Sequence, residues 1–175
     1  TYDDLARLPD DGKQYELFDG EAYVTPAPTV THQRISRNLE FVLYRHVVAH
    51  DLGEILDAPV DLILAPTTVL QPDLLFVSKA RAHIVSERGV EGPPDLVVEI
   101  LSRSTSDRDL SVKKQLYARF GVKAYWVVDP GAKTLDELEL VDGVYHLRAT
   151  HRAPDGFSPA LFPGLSVALN AVFGP

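Results

Sequence analysis

The sequence lacks cysteine and methionine altogether and contains one tryptophan among its 175 residues. Without cysteine, disulfide bonds, thiolate nucleophiles and cysteine-ligated zinc sites are excluded. No apolar run approaches the ~18 residues of a membrane-spanning helix, and no signal peptide opens the sequence. We therefore expect a cytoplasmic protein without membrane contacts.

Basic residues are few relative to acidic ones, with 17 Lys and Arg against 25 Asp and Glu, which gives a formal net charge of −8. As a bulk property, this charge argues against general binding of polyanions. The hydrophobic fraction of 45% is ordinary for a globular protein, and no Gly/Ser linker divides the chain. We therefore expect one domain over residues 1–175.

The pattern of apolar residues predicts strands and helices in mixed order. A short helix is expected over residues 1–12, followed by two main helices at 31–50, with Thr31 as its N-cap, and at 105–120. Tight hairpins are expected around Asp19-Gly20 and Asp142-Gly143. Continuous strands are predicted at residues 54–65, 69–78, 94–102 and 123–131, with a loop or short helix over 79–92.

The order of these elements favours an α/β fold with a mixed sheet flanked by helices and additional hairpins. Consecutive strands would pair antiparallel, and the strand after the second main helix would return parallel. A doubly wound nucleotide-binding fold is not indicated, because no GxGxxG motif follows a strand and no Walker A motif occurs.

An acidic residue, Glu99, interrupts the apolar run LVVEIL, which otherwise reads as a central strand buried on both faces. Alternation places Glu99 on one face with Val97 and Leu101. A buried carboxylate is costly unless it pairs with a cation or binds a metal. A salt bridge to a nearby arginine, or a position near a wet strand end, is the structural alternative.

Two further acids stand beside predicted strands. Asp73 precedes the run LLFV, and Asp61 precedes LILA. Asp73 alone would read as a turn residue, but on a strand next to Glu99 it would bring two carboxylates together, an arrangement that requires a cation between them. Asp61 is a weaker third acid of the same type, for which a structural role is favoured.

A lysine on the second main helix is the expected partner of these acids. Asp109, Lys113 and Tyr117 recur at four-residue spacing, on the same broad face as the apolar Val112, Leu116 and Phe120. Lys113 would therefore point toward the sheet, where its anion would be Glu99, Asp73 or a phosphate, whereas Lys114 would be solvated. An edge position with a snorkelling side chain, or a simple pair with Asp109, remains the alternative for Lys113.

Charge is distributed unevenly along the chain. Residues 103–123 contain six basic and two acidic residues, so this stretch carries +4 and the remainder −12. The first main helix is also basic, with Arg34, Arg37 and Arg45 against Glu40. Two such helices would form a confined surface for phosphate, or else two solvated outer faces.

Three acids and a lysine in this arrangement suggest metal-assisted hydrolysis of phosphodiesters. Carboxylates suit Mg²⁺ or Mn²⁺, which lower the pKa of bound water and offset charge on the transition state. Lys113 would orient the water or stabilise the developing charge.

A resemblance to a known family rests on an ordered set of motifs: YELFDGE (15–21), His32, QPDLLFV (71–77), PDLVVEILSRST (94–105), D-x-x-x-K-x-x-x-Y (109–117) and GVKAYWVVDP (121–130). Over residues 1–169 the chain resembles the Uma-type "putative restriction endonuclease" family. That family, formerly a domain of unknown function, is placed in the PD-(D/E)XK nuclease superfamily.

The resemblance implies a restriction-endonuclease-like fold in which Asp73 and Glu99 are catalytic metal ligands. Leu101 occupies the usual position of the motif lysine, and Lys113 matches the position to which such families move it. Glu16 matches an acid that completes such sites.

His32, at the start of the first main helix, is a candidate contact for phosphate or metal. Arg103 and Lys114, from the basic stretch 103–123, are candidate contacts for substrate phosphate. A hairpin role for Glu16 and a structural role for His32 are the alternatives.

Two functions follow from these residues. The first is a Mg²⁺- or Mn²⁺-dependent endonuclease acting on DNA, and the second is a catalytically idle nuclease fold that serves as a DNA-binding or oligomerisation module. A homodimer is expected by analogy with enzymes that cut both strands, with the hairpins and the apolar C-terminal segment as candidate surfaces. Because the chain is acidic, DNA binding without metal is expected to be weak and salt-sensitive.

Overall fold

The computed structural model describes residues 1–8, 11–102 and 109–174. Within these ranges, the helical elements are α1 (Tyr2–Leu5), α2 (Val30–Ala49), a 3₁₀ helix (Lys79–Ile84), a π-helical turn (Asp109–Lys113), α3 (Lys114–Arg119) and α4 (Leu169–Phe173). None of the helices in this part of the chain is long and apolar enough to cross a membrane.

In the described residues, the strands form two six-stranded mixed sheets and one short pair. The central sheet comprises β3 (Gly53–Asp57), β6 (Leu74–Ser78), β9 (Leu96–Ile100), β10 (Ala124–Asp129), β11 (Thr134–Val141) and β12 (Val144–Arg152). The second sheet comprises β1 (Gln14–Phe18), β2 (Glu21–Thr25), β4 (Leu62–Ala65), β5 (Thr68–Leu70), β7 (Val85–Ser86) and β8 (Gly89–Glu91). The strand order is β12-β11-β10-β9-β6-β3 in the central sheet and β2-β1-β5-β4-β8-β7 in the second sheet. Strands β13 (Gly156–Phe157) and β14 (Val167–Ala168) form the pair.

The expected mixed sheet flanked by helices is confirmed. Strands β3, β6 and β9 pair antiparallel, and β10 returns parallel to β9 after the second main helix. Both predicted hairpins form, with turns at residues 19–20 and 142–143 in the left-handed conformation that tight turns need.

Strand β9 is buried along its whole length because hydrophobic clusters cover both faces of the central sheet. On one face, Leu96, Val98 and Ile100 pack under α2 and the C-terminal segment. On the other face, Val97 lies in a second cluster with Tyr117 of α3 and with residues of the second sheet. The near-continuous apolar sequence of this strand follows from that double burial.

Two predicted strands are each two strands in the structure. The run 54–65 divides into β3 and β4 at Pro59, and the run 69–78 divides into β5 and β6 at Pro72. In both cases the two halves belong to different sheets. Proline has no backbone N–H to donate to a sheet, so the chain leaves one sheet there and enters the other.

Several predicted boundaries are wrong. Helix α1 ends at Leu5, and the N-cap of α2 is Thr29, whose hydroxyl accepts a hydrogen bond from the His32 N–H, rather than Thr31. Residues 105–108 of the second main helix lie outside the described ranges, and the described part begins with a π-helical turn. A π-helical turn is wider than an α-helical turn, so its side chains point in other directions than a regular α-helix would give them. Val112 is therefore exposed and does not lie on the apolar face.

The C-terminal segment does not offer a dimerisation surface, contrary to expectation. Leu165, Val167, Leu169 and Val172 are buried in the cluster beneath α2. These apolar side chains are already buried in the protein's own core, so they are not exposed to a second copy of the chain. Exposed apolar side chains are instead found on the hairpin of β11 and β12, at Val141, Val144 and Leu147.

Candidate active site

Glu99 lies near the end of β9, on the face that carries Val97, as alternation predicts. Its side chain is 2% exposed, so the strand buries a carboxylate in the layer between the two sheets. The antiparallel register of β6 and β9 pairs Leu74 with Val98. Continuing that register by one residue brings Asp73 opposite Glu99.

Asp73 is held by the neighbouring strand end. Its Oδ2 accepts a 2.6 Å hydrogen bond from the Ile100 N–H, and His32 Nε2 lies 3.2 Å from the same oxygen. His32 belongs to the first turn of α2, so this helix contributes a ring to the site. Among the described residues, no hydrogen bond is made to Oδ1 of Asp73.

Lys113 is buried with 3% exposure at the end of the π-helical turn. Its Nζ donates to Glu99 Oε1 at 3.0 Å and to Oε2 at 3.2 Å. The same Nζ lies 3.0 Å from Glu16 Oε1. The predicted facing of Lys113 is therefore correct, and the buried ammonium is compensated by two carboxylates.

Glu16 comes from β1 of the second sheet and is fully buried. Its Oε1 accepts a 2.8 Å hydrogen bond from the Gln71 N–H, and its Oε2 accepts one from the Thr25 hydroxyl at 3.2 Å. Glu16 is thus more than a hairpin residue, because it joins the second sheet to the lysine.

Tyr117 is a site residue whose hydroxyl was not anticipated. It donates a 2.6 Å hydrogen bond to Glu99 Oε1. Burial, with the nearby Glu99 carboxylate, raises the pKa of Tyr117 well above its ordinary value, so the hydroxyl stays protonated and acts as a donor. The four-residue spacing from Lys113 already placed it on the same helix face.

Asp61 and Gln71 form a supporting contact next to this cluster. The Gln71 side-chain amide donates to Asp61 Oδ1 at 2.9 Å. Asp61 is not among the cleft-lining residues, in keeping with its interpretation as a structural acid. Gln71, which does line the cleft, was not singled out from the sequence, although it stands two residues before Asp73.

A cleft of about 1190 Å³ opens beside the cluster. Its lining includes His32, Asp73, Glu99 and Lys113. Lys114 is partly buried and is not among these lining residues, and Arg103 lies outside the described ranges. The described lining carries five acidic and three basic residues: Glu40, Asp57, Asp73, Glu99 and Asp129 against Arg34, Arg37 and Lys113.

The protein side chains at the cleft supply only some of the ligands that a magnesium-type ion needs. Over residues 1–8, 11–102 and 109–174, no three His, Asp or Glu side chains are arranged to hold a metal. Mg²⁺, however, typically binds one or two carboxylates and completes its shell with water and substrate phosphate. Asp73 and Glu99, on neighbouring strands, fit that pattern. Oδ1 of Asp73 accepts no hydrogen bond from a described residue.

Comparisons with known proteins agree with this fold. A crystal structure of a putative nuclease belonging to DUF820 from Anabaena variabilis superposes with a TM-score of 0.78, covering 99% of this chain and 97% of that one at 18% identity. At this identity the likeness establishes the fold. No match is found among curated proteins. Residues 2–170 match the family Uma2, described as "putative restriction endonuclease". The chain belongs to the Uma2 family.

Proposed function

We propose that the protein is a Mg²⁺- or Mn²⁺-dependent endonuclease that hydrolyses phosphodiester bonds in DNA. The observation that carries this proposal is the buried Lys113 ammonium, held between the carboxylates of Glu99 and Glu16 at the cleft that Asp73 also lines. Two acids and a lysine are buried beside an open cleft, so their charge lies next to the space that a substrate would enter.

Asp73 and Glu99 are the residues that would hold the cation. The Ile100 N–H fixes Asp73, and the Tyr117 hydroxyl and Lys113 fix Glu99, so both carboxylates have defined orientations. A carboxylate has about four acceptor positions, so these hydrogen bonds are compatible with ligation. When bound, the cation would lower the pKa of a water molecule and offset the charge of the phosphate.

Lys113 supplies the positive charge that the protein itself places at the reaction centre. Its two carboxylate partners restrain the ammonium, so little reorganisation is needed when charge develops on a phosphate oxygen. Glu16 acts as a positioning residue, because it touches Lys113 from the second sheet. His32 lies at the cleft and orients Asp73 or contacts the phosphate.

DNA is the proposed substrate because of the family to which the chain belongs and because of the charge at the cleft. The described lining has two more acids than bases, so a polyanion would enter more readily with a divalent cation than without one. This charge balance supports weak binding in the absence of metal, as the sequence predicts.

A plasmid-cleavage assay with Mn²⁺ or Mg²⁺ tests the proposal. We expect the wild-type protein to cut only with the cation, and Asp73→Asn to lose roughly 100-fold or more in rate, the scale seen when a site loses one stabilising group. Glu54→Gln, at an exposed acid on β3, is the matched control and should cut like wild type.

Calorimetric titration with Mn²⁺ gives a second readout, in which Asp73→Asn should bind more weakly than Glu54→Gln. Equal cleavage by all three proteins would mean a contaminating nuclease and would refute the site. No cleavage and no Mn²⁺ binding would favour the idle module that binds DNA or oligomerises. Hydrolysis of small phosphodiesters without DNA cleavage would redirect the substrate assignment.

Homodimerisation and a cytoplasmic location stay predictions. We propose the homodimer by analogy with enzymes that cut both strands, which commonly use two such sites, and because the hairpin of β11 and β12 exposes Val141, Val144 and Leu147. Light scattering during size-exclusion chromatography would show a mass near 19 kDa for a monomer and twice that for the dimer.

A further inference from the structure

The cleft has a second wall, formed by the first half of α2. His32, Arg34 and Arg37 line it, and both arginine side chains belong to exposed residues. They lie three residues apart, which puts them on neighbouring positions of one helix face. The helix that brings His32 to Asp73 therefore presents two guanidinium groups along the same cleft.

Neither arginine has a carboxylate partner in the described part of the chain. Among the described residues, the Arg37 side chain donates one hydrogen bond, to Asn38 Oδ1 at 3.3 Å, and the Arg34 side chain donates none. Several other arginines form ion pairs with carboxylates, for example Arg81, Arg119 and Arg148.

Arg45 provides an internal comparison. It is exposed on the same helix, but it does not line the cleft and instead lies over the Phe41 ring, 5.6 Å from its centre. Three arginines that look equivalent in the sequence thus divide into two at the cleft and one away from it.

We propose that Arg34 and Arg37 bind backbone phosphates of a nucleic acid strand that lies along α2. These phosphates would neighbour the one that is hydrolysed at Asp73 in the proposed function. This inference rests on the proposed function. Among the described residues, the cluster below has three carboxylates, from Glu16, Asp73 and Glu99, and one lysine, so it attracts cations and leaves the neighbouring phosphates to be neutralised by other groups. Guanidinium groups suit that task, because their forked donors match phosphate oxygens.

The spacing of the two arginines agrees with contacts to one strand. Three residues of helix advance about 4.5 Å along the axis, and one strand of DNA carries a phosphate about every 3.4 Å of rise. Two flexible side chains one turn apart can therefore reach phosphates one or two nucleotides apart. Phosphate contacts carry no base information, so binding through this pair is independent of sequence.

Fluorescence anisotropy with labelled oligonucleotides, in EDTA so that metal-dependent cleavage cannot occur, tests the inference. Wild type, Arg34→Gln, Arg37→Gln and the double variant are titrated over a series of salt concentrations. For a duplex, each substitution should reduce the slope of log K against log salt by about 0.9, and for a single strand by about 0.7. Arg45→Gln should keep the wild-type slope.

A double variant with the slope of Arg45→Gln would overturn the inference. Thermal unfolding checks that the variants are folded, which we expect because the substituted side chains are exposed. The two proposals fail separately. Cation-dependent cleavage with unchanged slopes refutes the phosphate contacts alone. Reduced slopes support the contacts even where wild type cuts no DNA, an outcome that refutes the endonuclease alone.

Discussion

Replacing Lys113 with methionine tests whether the buried ammonium is as important to the fold as its contacts indicate. Methionine keeps the length of the side chain and removes the charge. Glu16 and Glu99, with side chains 0% and 3% exposed, would then lose the ammonium that contacts both of them. Removing one partner of a buried ion pair costs about 3–5 kcal/mol, because the remaining charge stays desolvated.

A loss of this size is a large part of the 5–15 kcal/mol by which domains are typically stable. With a urea dependence of about 2 kcal/mol per M, the unfolding midpoint of Lys113→Met should fall by roughly 2 M. Urea titration followed by circular dichroism measures this shift. The control is Lys123→Met, at an exposed lysine, and should stay within about 0.5 kcal/mol of wild type.

A midpoint equal to that of Lys123→Met at neutral pH would refute the reasoning, since it would mean that the two carboxylates need no counterion.

Three further outcomes follow from the described contacts. Tyr117→Phe removes a donor to the Glu99 carboxylate and should lower the free energy of unfolding by about 1.5–3 kcal/mol in urea titration, whereas an unchanged midpoint would contradict the hydrogen bond. Because the pKa of Tyr117 is raised, the folded protein keeps this proton above pH 10 while the unfolded chain releases it, so wild-type stability should fall with rising pH by up to about 1.4 kcal/mol per unit more steeply than that of Tyr117→Phe. Gly53→Ala would place a Cβ 2.1 Å from the Val77 carbonyl oxygen at a φ of +147°, and its melting curve should show a loss of about 3 kcal/mol or more; wild-type stability would show that β3 can move away.

The central strand and its charged residue were predictable because both depend on local pattern. A run of apolar residues with one acid, LVVEIL, indicates a strand buried on both faces, and alternation gives the face of Glu99. Helical spacing likewise gave the facing of Lys113. These inferences needed no knowledge of the rest of the chain.

Assignment of strands to sheets was less accessible. Hydrophobic periodicity reports burial, and it does not report which sheet buries the segment. The runs broken at Pro59 and Pro72 read as single strands for this reason, although the two prolines were the available signal. The π-helical turn before α3 was missed as well, because a regular helical period was assumed, and Val112 was placed on the wrong face.

The partners of Lys113 show a similar division. The facing of the helix and strand left three anions open for Lys113, namely Glu99, Asp73 and a phosphate, and the structure shows Glu99. Glu16, from a hairpin 97 positions earlier, was suggested by the family resemblance alone. A hydrogen bond such as that from the Tyr117 hydroxyl depends on three-dimensional position. Spacing along one helix predicts the face on which Tyr117 lies, but it does not identify the acceptor.

The wide separation of the site residues in the chain has a consequence for biosynthesis. Glu16, Asp73 and Glu99 leave the ribosome before Lys113 does, since synthesis runs from the N-terminus. Until residue 113 emerges, the ammonium that contacts Glu16 and Glu99 is missing, and packing the hairpin of β1 and β2 against β9 would bury these carboxylates without it. The nascent chain therefore cannot complete this buried cluster before residue 113 has been synthesised.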